Sequence, residues 1–146
     1  MFTTTTSIFI ERSANKVMPY FTEPDRWTLW LDQLKTVQTH PPHIPRKGAR
    51  YSQTFAWGRK VIMLEGTVIL FEPPSEFRFL AQSADLSVNG QYLFEEQSGG
   101  TYVTYRESTK ERSVLTFIFA PIIRLTMKKR ALQSLLSLKN LCEGKT

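Results

Sequence analysis

The chain of 146 residues has little of what metal sites and disulfide-stabilised folds require: one cysteine, Cys142, and two histidines, His40 and His43. A single cysteine excludes an intrachain disulfide framework and a cysteine-based zinc cluster. The two histidines lie among prolines and have no evident acidic partner nearby. The sequence therefore predicts no metal site and no cofactor.

Long hydrophobic runs and catalytic motifs are also lacking. Segment 1–6 has neither the basic start nor the apolar stretch of a secretory signal. Apolar runs such as 68–71 fall far short of the roughly 20 residues that span a membrane. No phosphate-binding glycine motif and no Ser-His-Asp or Cys-His spacing is present. These observations predict a soluble, cytoplasmic protein.

Aromatic residues are abundant, with 10 Phe, 5 Tyr and 3 Trp in a chain that is 41% hydrophobic. This length and apolar content favour one domain over residues 1–146. Aromatic side chains suit a core, and they equally suit the wall of a cavity for a planar or apolar ligand.

The charge is also one-sided: 19 basic against 13 acidic residues give a net charge of +6. Such a balance favours anionic partners through a long-range field. Many basic residues lie near the C-terminus: Arg124, Lys128, Lys129, Arg130, Lys139 and Lys145. One interpretation is a solvated helix face. The other is contact with an anionic membrane or RNA through Lys128, Lys129 and Arg130.

Hydrophobic periodicity predicts mainly strands between two helical regions. Two short helices follow the first strand: residues 14–21 after Ser13 as N-cap, and a second helix opened by Pro24. The spacing of Trp27, Trp30, Leu31 and Leu34 puts both tryptophans on one face of that second helix. The predicted strands are 3–11, 34–39, 51–57, 60–71, 76–82, 91–96 and 101–110.

A long helix is predicted from Pro121 to Cys142, with a length of about 33 Å at 1.5 Å per residue. Its apolar residues cover a wide arc, so we expect it to be packed along most of its length. Antiparallel strands with helices segregated in sequence indicate an α+β fold.

Several short motifs follow one another in a recognisable order: Ser13-Ala14 before Val17 and Phe21, DRWTLW at 25–30, KGAR at 47–50, FEPPSEF at 71–77, GGTYVTY at 99–105 and LKNLCE at 138–143. Together they resemble the helix-grip fold of the SRPBCC superfamily, in its polyketide cyclase/dehydrase-like branch. START domains and the birch-pollen (Bet v 1-like) allergens belong to the same superfamily.

The resemblance implies a curved, seven-stranded antiparallel sheet wrapped around the long C-terminal helix. It also implies a cavity between sheet and helix, partly closed by the two short helices. Members of the superfamily bind lipids, sterols, polyketides, quinones or plant hormones there, and some are cyclases. One fold carries many activities, so the resemblance does not choose among them.

Candidates for the cavity wall are large side chains on the predicted strands and helices. Each of them also fits plain core packing. They are Trp27, Trp30, Tyr51, Phe55, Trp57, Met63, Phe79, Tyr92, Tyr105 and Met127.

Three charged residues are candidate catalytic groups: Glu65, Arg106 and Glu107. Glu65 shares a strand face with Met63; inside the cavity it would act as a general acid or base, and otherwise it faces solvent or a basic neighbour. Arg106 and Glu107 lie on alternate faces of one strand, so one of them points inward. An inward arginine would anchor a carboxylate-bearing ligand.

Three functions remain open. The first is binding of a small hydrophobic or amphipathic ligand: a lipid, an isoprenoid or quinone, or an aromatic polyketide-like molecule. The second is a cyclase/dehydrase-type enzyme, which requires two ionisable groups within hydrogen-bond reach inside the cavity; the sequence does not show such a pair. The third is an RNA-, ribosome- or membrane-associated partner protein, with a filled core and a continuous positive face.

Overall fold

The computed structural model describes residues 1–144 and shows one antiparallel sheet of seven strands in the order β1-β7-β6-β5-β4-β3-β2. Lys145 lies outside the described residues. The strands are β1 (Phe2–Ile10), β2 (Leu34–Thr39), β3 (Arg50–Trp57), β4 (Lys60–Glu72), β5 (Glu76–Gln82), β6 (Leu86–Gln97) and β7 (Gly100–Glu111).

The helices lie between β1 and β2 and after β7. They are α1 (Ala14–Val17), α2 (Pro19–Thr22), a 3-10 turn (Pro24–Arg26), α3 (Trp27–Trp30), α4 (Val114–Ile118) and α5 (Ala120–Cys142). Within residues 1–144 no helix combines the length and the apolar character needed to span a membrane. The predicted α+β helix-grip architecture is confirmed.

The region after β1 differs in detail from the two predicted helices. The first divides into α1 and α2 at Pro19, which starts the second turn. Ser13 occupies the N-cap position without a side-chain cap; the Ala14 N–H instead donates to Glu96 on β6, at 3.0 Å. The next helix ends at Trp30, so Leu34 begins β2 and does not continue the tryptophan face.

A short helix before α5 was not predicted. Ser113 and Thr116 form a capping box in which each side chain accepts a hydrogen bond from the other residue's backbone N–H. This reciprocal cap starts α4 directly after β7. Its sequence signal, a serine three residues before a threonine, is weaker than the usual pairing with Glu or Gln.

Helix α5 packs on one face, and its buried residues all lie in its second half, which corrects the expectation of packing along most of its length. Ala131, Ser134, Leu135 and Leu138 are buried against the sheet and the short helices. Apolar residues on the other side remain exposed to solvent: Ile122, Leu125, Leu132, Leu136 and Leu141.

The C-terminal end of α5 is fastened to β1 by charge-assisted hydrogen bonds. The Lys139 ammonium donates to the Phe9 carbonyl at 2.6 Å and to the Glu143 carboxylate at 2.7 Å. The same carboxylate accepts from the Glu11 N–H at 2.8 Å. Such bonds are stronger than neutral ones, so they fix the position of the helix along the sheet.

Two glycines inside strands make room for aromatic rings on the inner face of the sheet. A Cβ on Gly66 of β4 would overlap the Tyr51 ring, and a Cβ on Gly90 of β6 would overlap the Phe79 ring. Asn89-Gly90 is a sequence typical of a hairpin turn, but it lies inside β6, which is longer than the predicted strand 91–96. Each ring lies across the neighbouring strand because no side chain stands there.

We expect Gly90→Ala to displace the Phe79 ring and to lower the free energy of unfolding by about 1–3 kcal/mol, as overpacking does. Urea denaturation of Gly90→Ala, Phe79→Ala and the double variant would measure the coupling. The double variant should be less destabilised than the sum of the single variants. Asn89→Ala, at an exposed neighbouring position, is the control. Strict additivity would contradict the predicted overlap.

Candidate functional site

A cavity of about 160 Å³ lies between the inner face of the sheet and helices α3 and α5. The predicted wall residues, apart from Met63, all line it: Trp27, Trp30, Tyr51, Phe55, Trp57, Phe79, Tyr92, Tyr105 and Met127. Further apolar lining comes from Phe21, Phe77 and Leu86. The wall is therefore predominantly aromatic.

Met63 and Glu65 lie on the outer face of the sheet. The placement of Met63 in the cavity wall was wrong, and for Glu65 the structure shows the solvent-facing alternative. Met63 is 60% exposed, whereas its neighbours Ile62 and Leu64 line the cavity. β4 is apolar on both faces, so alternation alone left the inward face undecided. Glu65 accepts a hydrogen bond from the Ser52 hydroxyl at 2.8 Å on that outer surface.

Of the neighbouring pair on β7, Glu107 points inward and Arg106 outward. Glu107 is 5% exposed and lines the cavity, whereas Arg106 is exposed. An inward arginine that anchors a carboxylate is therefore wrong for this position. The charged group that β7 supplies to the cavity is a carboxyl group.

Glu107 is held by two hydroxyl groups. The Tyr105 hydroxyl donates to it at 2.7 Å, and the Thr4 hydroxyl of β1 donates at 3.4 Å. Burial raises the pKa of Glu107 to about 7, although both hydrogen bonds act in the opposite direction. Desolvation disfavours the charged form, and here it outweighs the hydrogen bonds.

The tyrosines beside Glu107 form a stacked group. The rings of Tyr92 and Tyr105 lie opposite each other on β6 and β7, with centroids 4.4 Å apart. The Phe79 ring lies nearly parallel to Tyr105 at 6.3 Å, across Gly90. Burial first, and then the charge of Glu107, raise the pKa of both tyrosines well above the usual value. Their hydroxyls therefore stay protonated near neutral pH.

Some polar groups of the wall have no side-chain hydrogen bond within residues 1–144. They are the hydroxyls of Tyr51 and Tyr92 and the amide of Gln53, all on buried residues that line the cavity. Burial also raises the pKa of Tyr51, so this hydroxyl remains a donor. These polar groups belong to residues that line the cavity, so they are available to pair with a ligand or with water there.

The indole N–H groups of Trp27 and Trp30 are used within the fold. Trp27 donates to the Phe21 carbonyl and Trp30 to the Tyr20 carbonyl, each at 3.0 Å. These tryptophans therefore contribute apolar surface to the cavity, and their N–H groups hold α3 against α2.

The cavity opens where its lining is half-buried, beside the β3–β4 hairpin and the middle of α5. Here the Arg130 guanidinium lies over the Trp57 ring, 4.2 Å from its centroid. Burial lowers the pKa of Arg130, and the nearby Asp32 carboxylate opposes that shift. Lys128 and Lys129 are exposed elsewhere on the helix. The three basic residues thus do not share one face.

The remaining reactive side chains lie outside the cavity. Cys142 is half-buried against the core, where burial raises the pKa of its thiol to about 11. His43 forms a hydrogen bond with the Thr39 hydroxyl at 2.8 Å. Across residues 1–144, no group of three His, Cys, Asp or Glu side chains is placed to hold a metal ion.

Comparison with known families now identifies the fold family. The family model described as "Polyketide cyclase / dehydrase and lipid transport" matches residues 1–143. The chain belongs to this family. This confirms the predicted resemblance to the polyketide cyclase/dehydrase-like branch of the SRPBCC superfamily. Among curated proteins, none matches the chain.

Solved structures of similar fold cover nearly the whole length of this family member. A protein from Thermus thermophilus is 12% identical, with a TM-score of 0.82 and 98% of each chain covered. Ara h 8.0201 is 9% identical, with a TM-score of 0.77 and 99% of each chain covered. DynU16, from the dynemicin biosynthetic locus, is 16% identical with a TM-score of 0.70, covering 98% of this chain and 48% of that one. At these identities the likeness shows the fold alone.

Gln53 is a polar lining residue that the sequence analysis missed. The alternation on β3 already puts it on the same face as Tyr51, Phe55 and Trp57. A polar residue within an otherwise aromatic inward face was the available signal. The unpaired state of its amide depends on neighbouring strands and is not encoded in β3 alone.

We expect the stability of the protein to fall as pH rises from about 4.5 to about 7, because the folded state raises the pKa of Glu107 over that range. Between these pH values the folded protein keeps a proton on Glu107 that the unfolded chain has released. Ionising Glu107 in the folded state therefore lowers the free energy of unfolding, and this contribution is fully present only below the pKa of Glu107 in the unfolded chain. In Glu107→Gln this loss should be absent. The free energy of unfolding of Glu107→Gln relative to that of the wild type should rise with pH over this range by up to about 3 kcal/mol.

Urea denaturation of both proteins across this pH range measures the difference. Glu65→Gln, which removes a carboxylate from the opposite face of the sheet, is the matched control and should track the wild type. Equal pH dependence in Glu107→Gln and wild type would contradict a desolvated Glu107.

Proposed function

We propose that the cavity binds a small amphipathic ligand, with its apolar body against the aromatic wall and a polar end beside Glu107. The chemical class is a lipid, an isoprenoid or quinone, or an aromatic polyketide-like molecule. The observation that carries the proposal is the set of unpaired polar groups on Tyr51, Gln53 and Tyr92 within this apolar wall. A few placed polar groups in a mostly apolar pocket are typical of small-molecule sites.

The electrostatics favour a neutral polar end. Tyr51, Tyr92 and the amide of Gln53 offer hydrogen-bond donors, while Glu107 disfavours a second negative charge at short range. A ligand carboxylate beside Glu107 would raise the cost of ionising either group. A carbonyl or hydroxyl oxygen accepts the available hydrogen bonds without that cost.

The size of the cavity limits the part of the ligand that it encloses. Its volume of about 160 Å³ is close to the roughly 150 Å³ of an engineered apolar cavity that binds benzene. One ring system or a short chain therefore fits inside. A longer apolar tail would leave past Trp57 and Arg130 at the open side.

Native mass spectrometry of the purified protein, followed by extraction, would identify a bound ligand. With that ligand, Tyr92→Phe should weaken binding about tenfold, as loss of one buried hydrogen bond does, while keeping the ring. Tyr102→Phe, on the exposed outer face of β7, is the matched control. The purely apolar probe N-phenyl-1-naphthylamine should bind wild type and Tyr92→Phe equally.

Failure of both the extracted fraction and the apolar probe to bind would contradict a ligand cavity. Equal binding of the natural ligand to Tyr92→Phe and wild type would instead contradict the placement of its polar end beside Glu107.

A cyclase/dehydrase-type enzyme is the second candidate, and a specific observation favours it. Tyr105 and Glu107 are two ionisable groups 2.7 Å apart inside the cavity, which is the pair that this function requires. With a pKa of about 7, Glu107 could take a proton from a carbon next to a ligand carbonyl. A tyrosine hydroxyl would then donate to the enolate oxygen.

Hydrogen–deuterium exchange at such carbons of the extracted ligand would test this role. Catalysed exchange should fall about 10²–10⁴-fold in Glu107→Gln, the usual contribution of a positioned base, while the affinity is retained. Exchange at the uncatalysed rate in the presence of wild-type protein would contradict the enzymatic function. It would not bear on the binding function.

A further inference from the structure

A large apolar surface stands exposed where β7 leads into α5. We define the α4–α5 surface by Val114, Leu115, Phe117, Ile118, Ile122 and Leu125, whose exposures range from 61% to 74%. Single exposed apolar residues are ordinary, but a group of this size on two consecutive helices marks an interaction site. None of these residues lines the cavity.

The segment that presents this surface is well fixed. The Thr116 hydroxyl donates to the Asp85 carbonyl at 2.9 Å, in addition to its part in the capping box of α4. Arg112 donates to the Ser83 carbonyl at 2.7 Å. The polar side chains of this segment therefore bind it to the β5–β6 connection, and its apolar side chains are left outward.

Helix α5, which carries part of the α4–α5 surface, is basic, although two acidic residues border the surface. Glu111 lies beside Arg124 and Lys128 but pairs with the N-terminal amine, and Asp85 lies beside Thr116. Between Glu111 and Glu143 the sequence contains no acidic residue, whereas Arg124, Lys128 and Lys129 follow the apolar group within α5. All three are exposed, and none takes part in an ion pair within residues 1–144. Lys129 lies seven residues after Ile122 and four after Leu125, so it extends the same helical stripe.

We propose that the α4–α5 surface docks onto an anionic phospholipid bilayer. The side chains of Phe117, Ile118 and Ile122 enter the boundary between headgroups and acyl chains. Lys128 and Lys129 bind the anionic headgroups. Apolar burial combined with basic side chains is the pattern by which helices bind membrane surfaces without crossing them.

The basic residues of α5 disfavour a second copy of the chain as the occupant. A two-fold dimer through this surface would place the exposed Lys128 and Lys129 at or beside its interface, and lysine is depleted in such interfaces. Like charges brought together there would oppose association. RNA would satisfy the charges, but it offers no apolar region for Phe117 and Ile118. A bilayer with anionic lipids matches both features.

Vesicle co-sedimentation tests the proposal with the full chain. Wild type should bind vesicles of phosphatidylcholine mixed with phosphatidylglycerol more tightly than vesicles of phosphatidylcholine alone, and added salt should weaken the binding. Phe117→Glu should abolish binding. Lys128→Gln/Lys129→Gln should weaken it about thirtyfold, since each basic residue near an anionic surface contributes about fivefold.

Matched controls come from exposed positions elsewhere. Met63→Glu changes an exposed apolar residue on the outer sheet face, and Lys35→Gln/Lys47→Gln removes the same charge; both should bind like wild type. Circular dichroism checks that Phe117→Glu is folded. Because the surface lies outside the cavity, Phe117→Glu should bind N-phenyl-1-naphthylamine as the wild type does. This measurement separates the membrane proposal from the proposed ligand function.

Three outcomes would overturn the proposal. The first is wild-type protein that is monomeric in sedimentation velocity and binds neither kind of vesicle. The second is a dimer that Phe117→Glu dissociates. The third is control variants that lose binding as fully as the α4–α5 variants, since binding would then follow net charge alone.

Discussion

The packing of α5 against the inner face of the sheet is the contact on which the rest of the structure depends. Near its C-terminus the helix carries Leu135 and Leu138, which are fully buried. One turn before each leucine the same face carries a small residue, Ala131 before Leu135 and Ser134 before Leu138, and both small side chains line the cavity. The helix thus closes the core at one end and leaves space at the other, while Lys139 and Glu143 hold it in register.

The space under α5 is shaped by aromatic rings that need glycine beside them. Gly66 and Gly90 let Tyr51 and Phe79 lie across neighbouring strands. Gly90 is also paired with Glu107 on β7, so the position of β6 directly opposite the carboxyl group carries no side chain. The missing side chain at Gly90 therefore leaves room for the Phe79 ring of the apolar wall and for the buried Glu107. This combination gives the cavity both its apolar character and its polar end.

The sequence predicted the architecture well because strand alternation, the long helix and the ordered motifs all indicate one fold. It also predicted most of the aromatic wall. It could not place Met63 and Glu65, because β4 is apolar on both faces. For such a strand, period-2 alternation does not show which face points into the core. It missed the Tyr105–Glu107 pair, although alternation on β7 already puts Glu107 on the same face as the predicted wall residue Tyr105 and Arg106 on the other face.

The position of Glu107 argues for a functional role of the cavity. Its two hydroxyl partners do not offset the cost of burial, as the raised pKa shows, and within residues 1–144 it forms no ion pair. Glutamine would keep the shape and accept the same hydrogen bonds without that cost. A carboxyl group at a position where it lowers stability indicates a functional role for that group, as a proton donor or acceptor. In the proposed binding function it would join Tyr51 and Tyr92 as a donor to one oxygen. In the proposed enzymatic function it would act as a base while those hydroxyls stay protonated. Both uses require the same ligand feature, a neutral oxygen at the inner end of the cavity.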